Sequence, residues 1–273
     1  MNTTASFFAG SEPEVAGHAA AIIISEAWRA VASRGRFTFV LSGGRSPRML
    51  YRKLAAGVEA QLMRLHDIPV PACPEPVYAE RVQEDLIRMP WHKTLVFWGD
   101  ERCVPPDHPD SNYLMAKETL LDASGIAPDH IFRMPCNGAN PEETAKAYEE
   151  TIRTVSGCRD TGTFRKTPVF DLMVLGLGED GHTASLFPDD PETLNEPQRL
   201  VVAVKAPQAN PRVPRLTLTL PLINHSETIL FFTAGEKRAV LAEAIRAGKA
   251  PSSLPAGMVK PRSGRLFWFI SLP

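Results

Sequence analysis

Leu172-Met173-Val174-Leu175 runs without a break into Gly176-Leu177-Gly178-Glu179-Asp180-Gly181-His182-Thr183-Ala184-Ser185. Four apolar residues in a row, closed by a glycine-rich polar turn, read as a strand covered on both faces, as in a parallel sheet. The pattern recurs outward from it. Residues 37–41 form a short aromatic and β-branched strand that stops at Ser42-Gly43-Gly44, and residues 47–54 follow with helical spacing. Residues 94–98 form another strand, followed by a polar loop to Asn112 and a helix through Leu121. Residues 201–204, 216–220, 229–232 and 266–270 read as further strands. Ser11-Glu12-Pro13-Glu14 is a capping box that opens a helix over 15–31; further helices are predicted over 141–155 and 236–247. This alternation predicts an α/β fold, a doubly wound, mostly parallel sheet with helices on both faces. Residues 58–90 are less regular, hold five prolines (Pro69, Pro71, Pro74, Pro76, Pro90), and carry a predicted helix over 77–88. No linker marks a second domain, so 1–273 is read as a single domain with a longer Pro-rich link at about 58–90.

Composition narrows the partners. The chain has 273 residues, 44% of them hydrophobic, and 30 Lys+Arg against 31 Asp+Glu. A net charge of -1 gives no electrostatic footprint for nucleic acid or an anionic membrane, so any bound anion needs a local cluster. The four cysteines, Cys73, Cys103, Cys136 and Cys158, show no metal-site spacing and are expected to be unpaired thiols of a reducing compartment. The amino-terminal charge order is wrong for a secretory signal, and no apolar run has the length to cross a bilayer. A cytoplasmic protein is expected.

In doubly wound sheets ligands bind beyond the carboxyl ends of the strands. Four polar segments are expected there: 42–46, 99–102, 176–182 and 235–237. Ser42-Gly43-Gly44-Arg45-Ser46-Pro47 suits a phosphate, because glycines admit close approach and a helix start presents N–H groups; an ordinary tight turn is the alternative. Gly176-Leu177-Gly178-Glu179-Asp180-Gly181 matches G-x-G-x-x-G formally, but it sets two carboxylates where a pyrophosphate would sit. A dinucleotide site is therefore rejected. Asp180 and His182, two residues apart in the turn, fit an imidazole base oriented by a carboxylate. A metal reading lacks a third ligand. Arg102 has the planar fork for a phosphate clamp; Lys237, at a helix start, and Arg215, at a strand start, are candidates of the same kind. Taken singly, Arg102 with Asp100 and Glu101 also reads as a solvated ion-pair cluster, Lys237 as a surface lysine, and Arg215 as a plain strand-end arginine.

The sequence resembles the 6-phosphogluconolactonase family. The matching segments are Leu41-Ser42-Gly43-Gly44 with Ser46-Pro47, Phe97-Trp98-Gly99-Asp100-Glu101-Arg102, Asp110-Ser111-Asn112-Tyr113, the run from Leu175 to Pro188, Pro214-Arg215-Leu216-Thr217-Leu218-Thr219, and Gly235-Glu236-Lys237-Arg238. The resemblance implies a modified doubly wound fold shared with glucosamine-6-phosphate deaminases and ribose-5-phosphate isomerases. It implies hydrolysis of 6-phospho-D-glucono-1,5-lactone to 6-phosphogluconate in the oxidative pentose phosphate pathway, without a cofactor. It carries His182 over as general base for a water, Asp180 and Asp100 as pocket carboxylates, and Gly43, Gly44, Ser46, Arg102, Arg215 and Lys237 as phosphate and sugar contacts. Arg45 and Ser46 depart from the Ser-Thr common in the family. The rival readings are an amino-sugar phosphate deaminase or isomerase, and a non-catalytic sugar-phosphate sensor. Ser185-Leu186-Phe187-Pro188 lacks the glutamate of the first, and the chain has no room for the DNA-binding module of the second.

Overall fold

A computed structural model describes residues 5–71, 85–136, 140–156, 158–159, 167–207, 209–261 and 264–272. Strand β1 (Ala5–Gly10) leads into helix α1 (Glu12–Arg34), then β2 (Phe37–Leu41) and α2 (Arg48–Ala56). A short antiparallel pair, β3 (Val58–Glu59) and β4 (Leu86–Ile87), brackets α3 (Ala60–Leu65). Next come β5 (Thr94–Trp98), β6 (Asp100–Arg102), α4 (Asn112–Ala116), α5 (Asp122–Ser124), β7 (Ile131–Phe132) and α6 (Pro141–Val155). A second short pair, β8 (Cys158–Arg159) and β9 (Thr167–Pro168), precedes β10 (Leu172–Leu175) and α7 (Pro191–Leu194). The chain closes with β11 (Val201–Val204), β12 (Arg215–Leu218), α8 (Leu220–Ile223), β13 (Thr228–Ala234), α9 (Glu236–Arg246) and β14 (Arg265–Ser271).

Seven strands make one parallel sheet in the order β1-β14-β13-β10-β2-β5-β7, flanked by helices. β2 and β10 are buried along their whole length, which explains their uninterrupted apolar runs. From β2 the chain winds outward through β5 to β7; from β10 it winds the other way through β13 to β14. The winding therefore reverses between β2 and β10, and a crevice opens at such a point beyond the strands' carboxyl ends. α1 begins as its capping box dictates, with Glu14 Oε2 accepting from the Ser11 N–H at 3.1 Å and from Ser11 Oγ at 2.6 Å. It ends at Gly35, whose φ of 78° is a left-handed cap.

Four expectations need correction. β11 and β12 are not in the parallel sheet; with β6 they form a small antiparallel sheet, β11-β12-β6, because residues 100–102, expected as loop, pair as a strand. β1 was not anticipated: Ala5-Ser6-Phe7-Phe8 gains its strand by pairing with β14, a partner at the far end of the chain. Of the helix expected over 77–88, residues 77–84 lie outside the described residues, while Leu86–Ile87 is strand. Cys103 and Cys136 are not free thiols. The end of β6 and the segment after β7 converge with Cα atoms 4.6 Å apart, and the two sulfurs form a disulfide. Their spacing of 33 residues carries no local signal for that pairing, and the cysteine content no longer argues for a reducing compartment. Among the described residues no helix is long and apolar enough to cross a membrane.

Candidate active site

Beyond β10 the backbone folds into a tight turn. The Gly178 N–H donates to the His182 carbonyl at 2.9 Å, and the Gly181 N–H donates to the Gly178 carbonyl at 3.1 Å. Thr183 Oγ1 ties the turn to the Gly176 carbonyl at 2.8 Å. Ala184 is held at φ 49°, a left-handed position that costs on the order of 1 kcal/mol outside glycine. The turn sets Asp180 Oδ1 2.6 Å from His182 Nδ1 and lets the same oxygen accept the His182 N–H at 3.1 Å. The couple packs directly on Gly178, where a Cβ would fall 2.1 Å from His182 Nδ1 and 2.5 Å from Asp180 Oδ1. The Asp/His couple, rather than a pyrophosphate, thus accounts for this middle glycine.

Burial pushes the Asp180 carboxyl up, but the hydrogen bond and charge of His182 and the backbone N–H bonds outweigh it. The net pKa lies below the usual carboxylate value. An ionised Asp180 accepts from Nδ1–H and leaves Nε2 as the nitrogen with a free lone pair.

The small sheet brings a second set of groups. Arg215 is in register with Arg102, and Thr217 with Asp100. Asp100, 6% exposed, accepts from Ser185 Oγ at 2.7 Å. Glu101, buried beside it, accepts the N–H groups of Arg102, Asn112 and Tyr113 at 2.7–2.8 Å and Ser111 Oγ at 3.1 Å. Residues 100–102 are therefore not a solvated ion-pair cluster; Glu101 caps α4 and fixes the loop. The Arg215 guanidinium, only 3% exposed, lies 5.6 Å from the Phe187 ring, which lies 5.0 Å from the His182 ring. Burial lowers the Arg215 pKa, opposed by the charge of Asp100. Arg102 Nη1 donates to the Asp110 carbonyl at 2.7 Å, and Nε of both arginines is buried without a partner among the described residues. Arg215 Nη2 also donates to the Asn210 and Pro211 carbonyls at 3.2 and 3.3 Å. A buried and a half-buried guanidinium in register across the small sheet suit an anion.

The other two loops complete the rim. Tyr51 of α2 holds Ser42 twice, accepting its N–H at 2.8 Å and donating to its carbonyl at 2.7 Å, so the glycine loop starts from a fixed point. Gly43 and Ser46 are half-buried, and Gly44 is exposed. Lys237, in the first turn of α9, is 83% exposed and lies 3.5 Å from Glu179; Arg238 lies 3.8 Å from the same carboxylate. Glu179, Gly235, Glu236, Lys237 and Arg238 line an open cavity of about 380 Å³.

Of the residues expected from sequence, Asp180 and His182 touch each other, and Arg215 reaches them through Phe187. Asp100 and Arg102 share the small sheet with Arg215, and Lys237 sits beside the Asp/His turn through Glu179. Sequence reasoning gave no role to Glu101, Asn112, Ser185 or Phe187. All four lie within the segments that carried the resemblance, which was the available signal.

The family model described as glucosamine-6-phosphate isomerases/6-phosphogluconolactonase matches residues 10–70 and 72–268. A 6-phosphogluconolactonase of Synechocystis is 37% identical over 243 residues, covering 89% of this chain and 85% of that one. The human 6-phosphogluconolactonase is 36% identical over 245 residues, covering 87% and 79% respectively. The crystal structure of the Thermotoga maritima 6-phosphogluconolactonase superposes with a TM-score of 0.75 at 27% identity, covering 98% of this chain and all of that one. A monomeric glucosamine-6-phosphate deaminase shares the fold at a TM-score of 0.66 and 18% identity. With the five strands β13, β10, β2, β5 and β7 of the parallel sheet and all four loops inside the matched residues, this chain belongs to the glucosamine-6-phosphate isomerase/6-phosphogluconolactonase family.

Proposed function

We propose that this chain hydrolyses 6-phospho-D-glucono-1,5-lactone to 6-phosphogluconate with a water activated by His182. The observation that carries the reading is the 2.6 Å contact of Asp180 with His182 Nδ1, which leaves Nε2 to act as the base. In the proposed step Nε2 takes a proton from water as the water oxygen attacks the lactone carbonyl. The bond from that carbon to the ring oxygen then breaks, and the ring oxygen receives the proton. One water is added and nothing is oxidised or reduced, so the step requires no electron carrier. Asp180 stabilises the imidazolium that forms in between. The substrate carries negative charge at its phosphate and, in the transition state, at the carbonyl oxygen. The glycine loop, Lys237 and the Arg102/Arg215 pair supply cationic or N–H groups for those two ends.

The relatives' names support the lactonase reading over amino-sugar chemistry, and so does Ser185. Its hydroxyl is committed to Asp100 in the segment where a deaminase would carry its glutamate. The test generates the lactone in situ from glucose 6-phosphate with a dehydrogenase and follows its decay with and without the protein, subtracting spontaneous hydrolysis. Faster decay is expected. Unchanged decay at micromolar protein, with deamination of glucosamine 6-phosphate, sinks the assignment.

A further inference from the structure

Asn112 has no part in the chemistry above, yet it joins two of the site's loops. It is 1% exposed, and Glu101 fixes its backbone N–H at 2.7 Å. Its Nδ2 donates to the Asp100 carbonyl oxygen at 2.9 Å and lies 3.3 Å from Asp100 Oδ1. The amide oxygen is buried with no hydrogen-bond partner among the described residues. Flipping the amide would turn that oxygen toward two other acceptors, so the network itself selects this orientation.

The unpartnered oxygen lies against Gly43. A Cβ on Gly43 would come 1.8 Å from Asn112 Oδ1 and 2.0 Å from its Cγ, far inside van der Waals contact. Gly43 is not among the positive-φ glycines, so its backbone conformation does not demand glycine; the Asn112 side chain does. A buried carbonyl without a donor is unfavourable. The sequence keeps one where it fills the space left by a missing side chain and bears on both the glycine loop and Asp100.

We infer that Asn112 is a positioning residue for the lactonase site, occupying the place of a Gly43 side chain and from there fixing the Asp100 carboxylate relative to the phosphate-side glycine loop. Gly43 is then a glycine on account of Asn112, before any question of how closely a ligand approaches. The inference rests on reading Asp100 and the glycine loop as two contact surfaces for one substrate.

The test compares Gly43→Ala, Asn112→Ala, the double variant and Asn112→Asp with wild type, recording kcat, KM, Kd for 6-phosphogluconate and the melting temperature. Gly43→Ala in the wild-type background should lower kcat/KM by about 100-fold or more, for want of room. Added to Asn112→Ala, which removes the three nearest clashing atoms, it should cost at least about 10-fold less than in the wild-type background, a strong departure from additivity. Asn112→Asp keeps the size but replaces the donor with an acceptor facing Asp100. Its kcat should fall about 10–100-fold while product Kd moves by less than about 3-fold, a split that general unfolding would not produce. Equal costs of Gly43→Ala in both backgrounds, or wild-type kcat in Asn112→Asp, overturns the inference. If Asn112→Asp fails to fold, the two-background comparison still decides. Wild-type turnover in the same assay separates the readings. Its absence removes the lactonase function itself; its presence with additive variants removes only the role of Asn112.

Discussion

At the residue scale the proposed chemistry rests on one nitrogen, Nε2 of His182. If Nε2 of His182 is the base, His182→Ala should lose about 10²–10⁴-fold in kcat and still bind 6-phosphogluconate, as titration calorimetry would register. Near-normal turnover in that variant would reject the role. The cations divide differently. Each charge-assisted contact to the phosphate contributes about 1.5–3 kcal/mol, or roughly 10–150-fold in kcat/KM. Gluconolactone without its phosphate cannot use such contacts. Lys237→Ala and Arg102→Ala should therefore be costly with the phosphorylated lactone and nearly silent with the plain one, while His182→Ala harms both. Arg102 faces the harder trial, because it is in register with Arg215, which reaches His182 through Phe187. Equal losses on both lactones for Arg102→Ala would move it from the phosphate to the carbonyl end or to the fold.

At the element scale, α1 carries a titration that the site does not use. His18 packs edge-on against Phe8 and Phe269 and stacks on His66 of the α3 end at 3.8 Å. Burial, and then the charge of His66, lowers its pKa to about 4. Below the ordinary value near 6.5 the unfolded chain takes up a proton that the folded chain refuses. Stability is thus fully present above about pH 6.5 and is lost as pH falls toward 4, by on the order of 3 kcal/mol. His18→Leu should flatten that part of the melting-temperature profile; an unchanged acid slope would show that other groups set it. The start of the helix was readable from the sequence, since Ser11 and Glu14 are local signals, and so was each apolar strand of the parallel sheet's centre; the helix's end runs past 31 to Gly35. Where strands depend on partners the reading failed: residues 5–10 and 100–102 are strands only because β14 and β12 lie beside them.

At the scale of the whole molecule, the Cys103–Cys136 bridge closes a loop that begins next to Arg102 and contains α4, α5 and β7. A closure of 33 residues restricts the unfolded chain by about 3–4 kcal/mol. Reduction, or Cys103→Ser, should lower the melting temperature by on the order of 5–10 °C. Scanning calorimetry with and without reductant measures it. Two extra reactive thiols in the unreduced, denatured protein, with identical melting curves, would show that the bridge does not form.

The sequence by itself determined the strand-turn-helix units and the pairing of Asp180 with His182 in one turn, because both depend on residues close in the chain. A buried strand needs only a run of apolar residues, and a carboxylate two positions from an imidazole needs only glycines to fold the backbone between them. The tertiary structure alone decided what those units meet. The reversal of winding sets β2 against β10, the small sheet sets Arg215 beside Arg102, and Asn112 comes to lie where Gly43 has no side chain. These contacts join residues distant in sequence. Their selection comes from packing and burial across the whole chain, which no local propensity encodes.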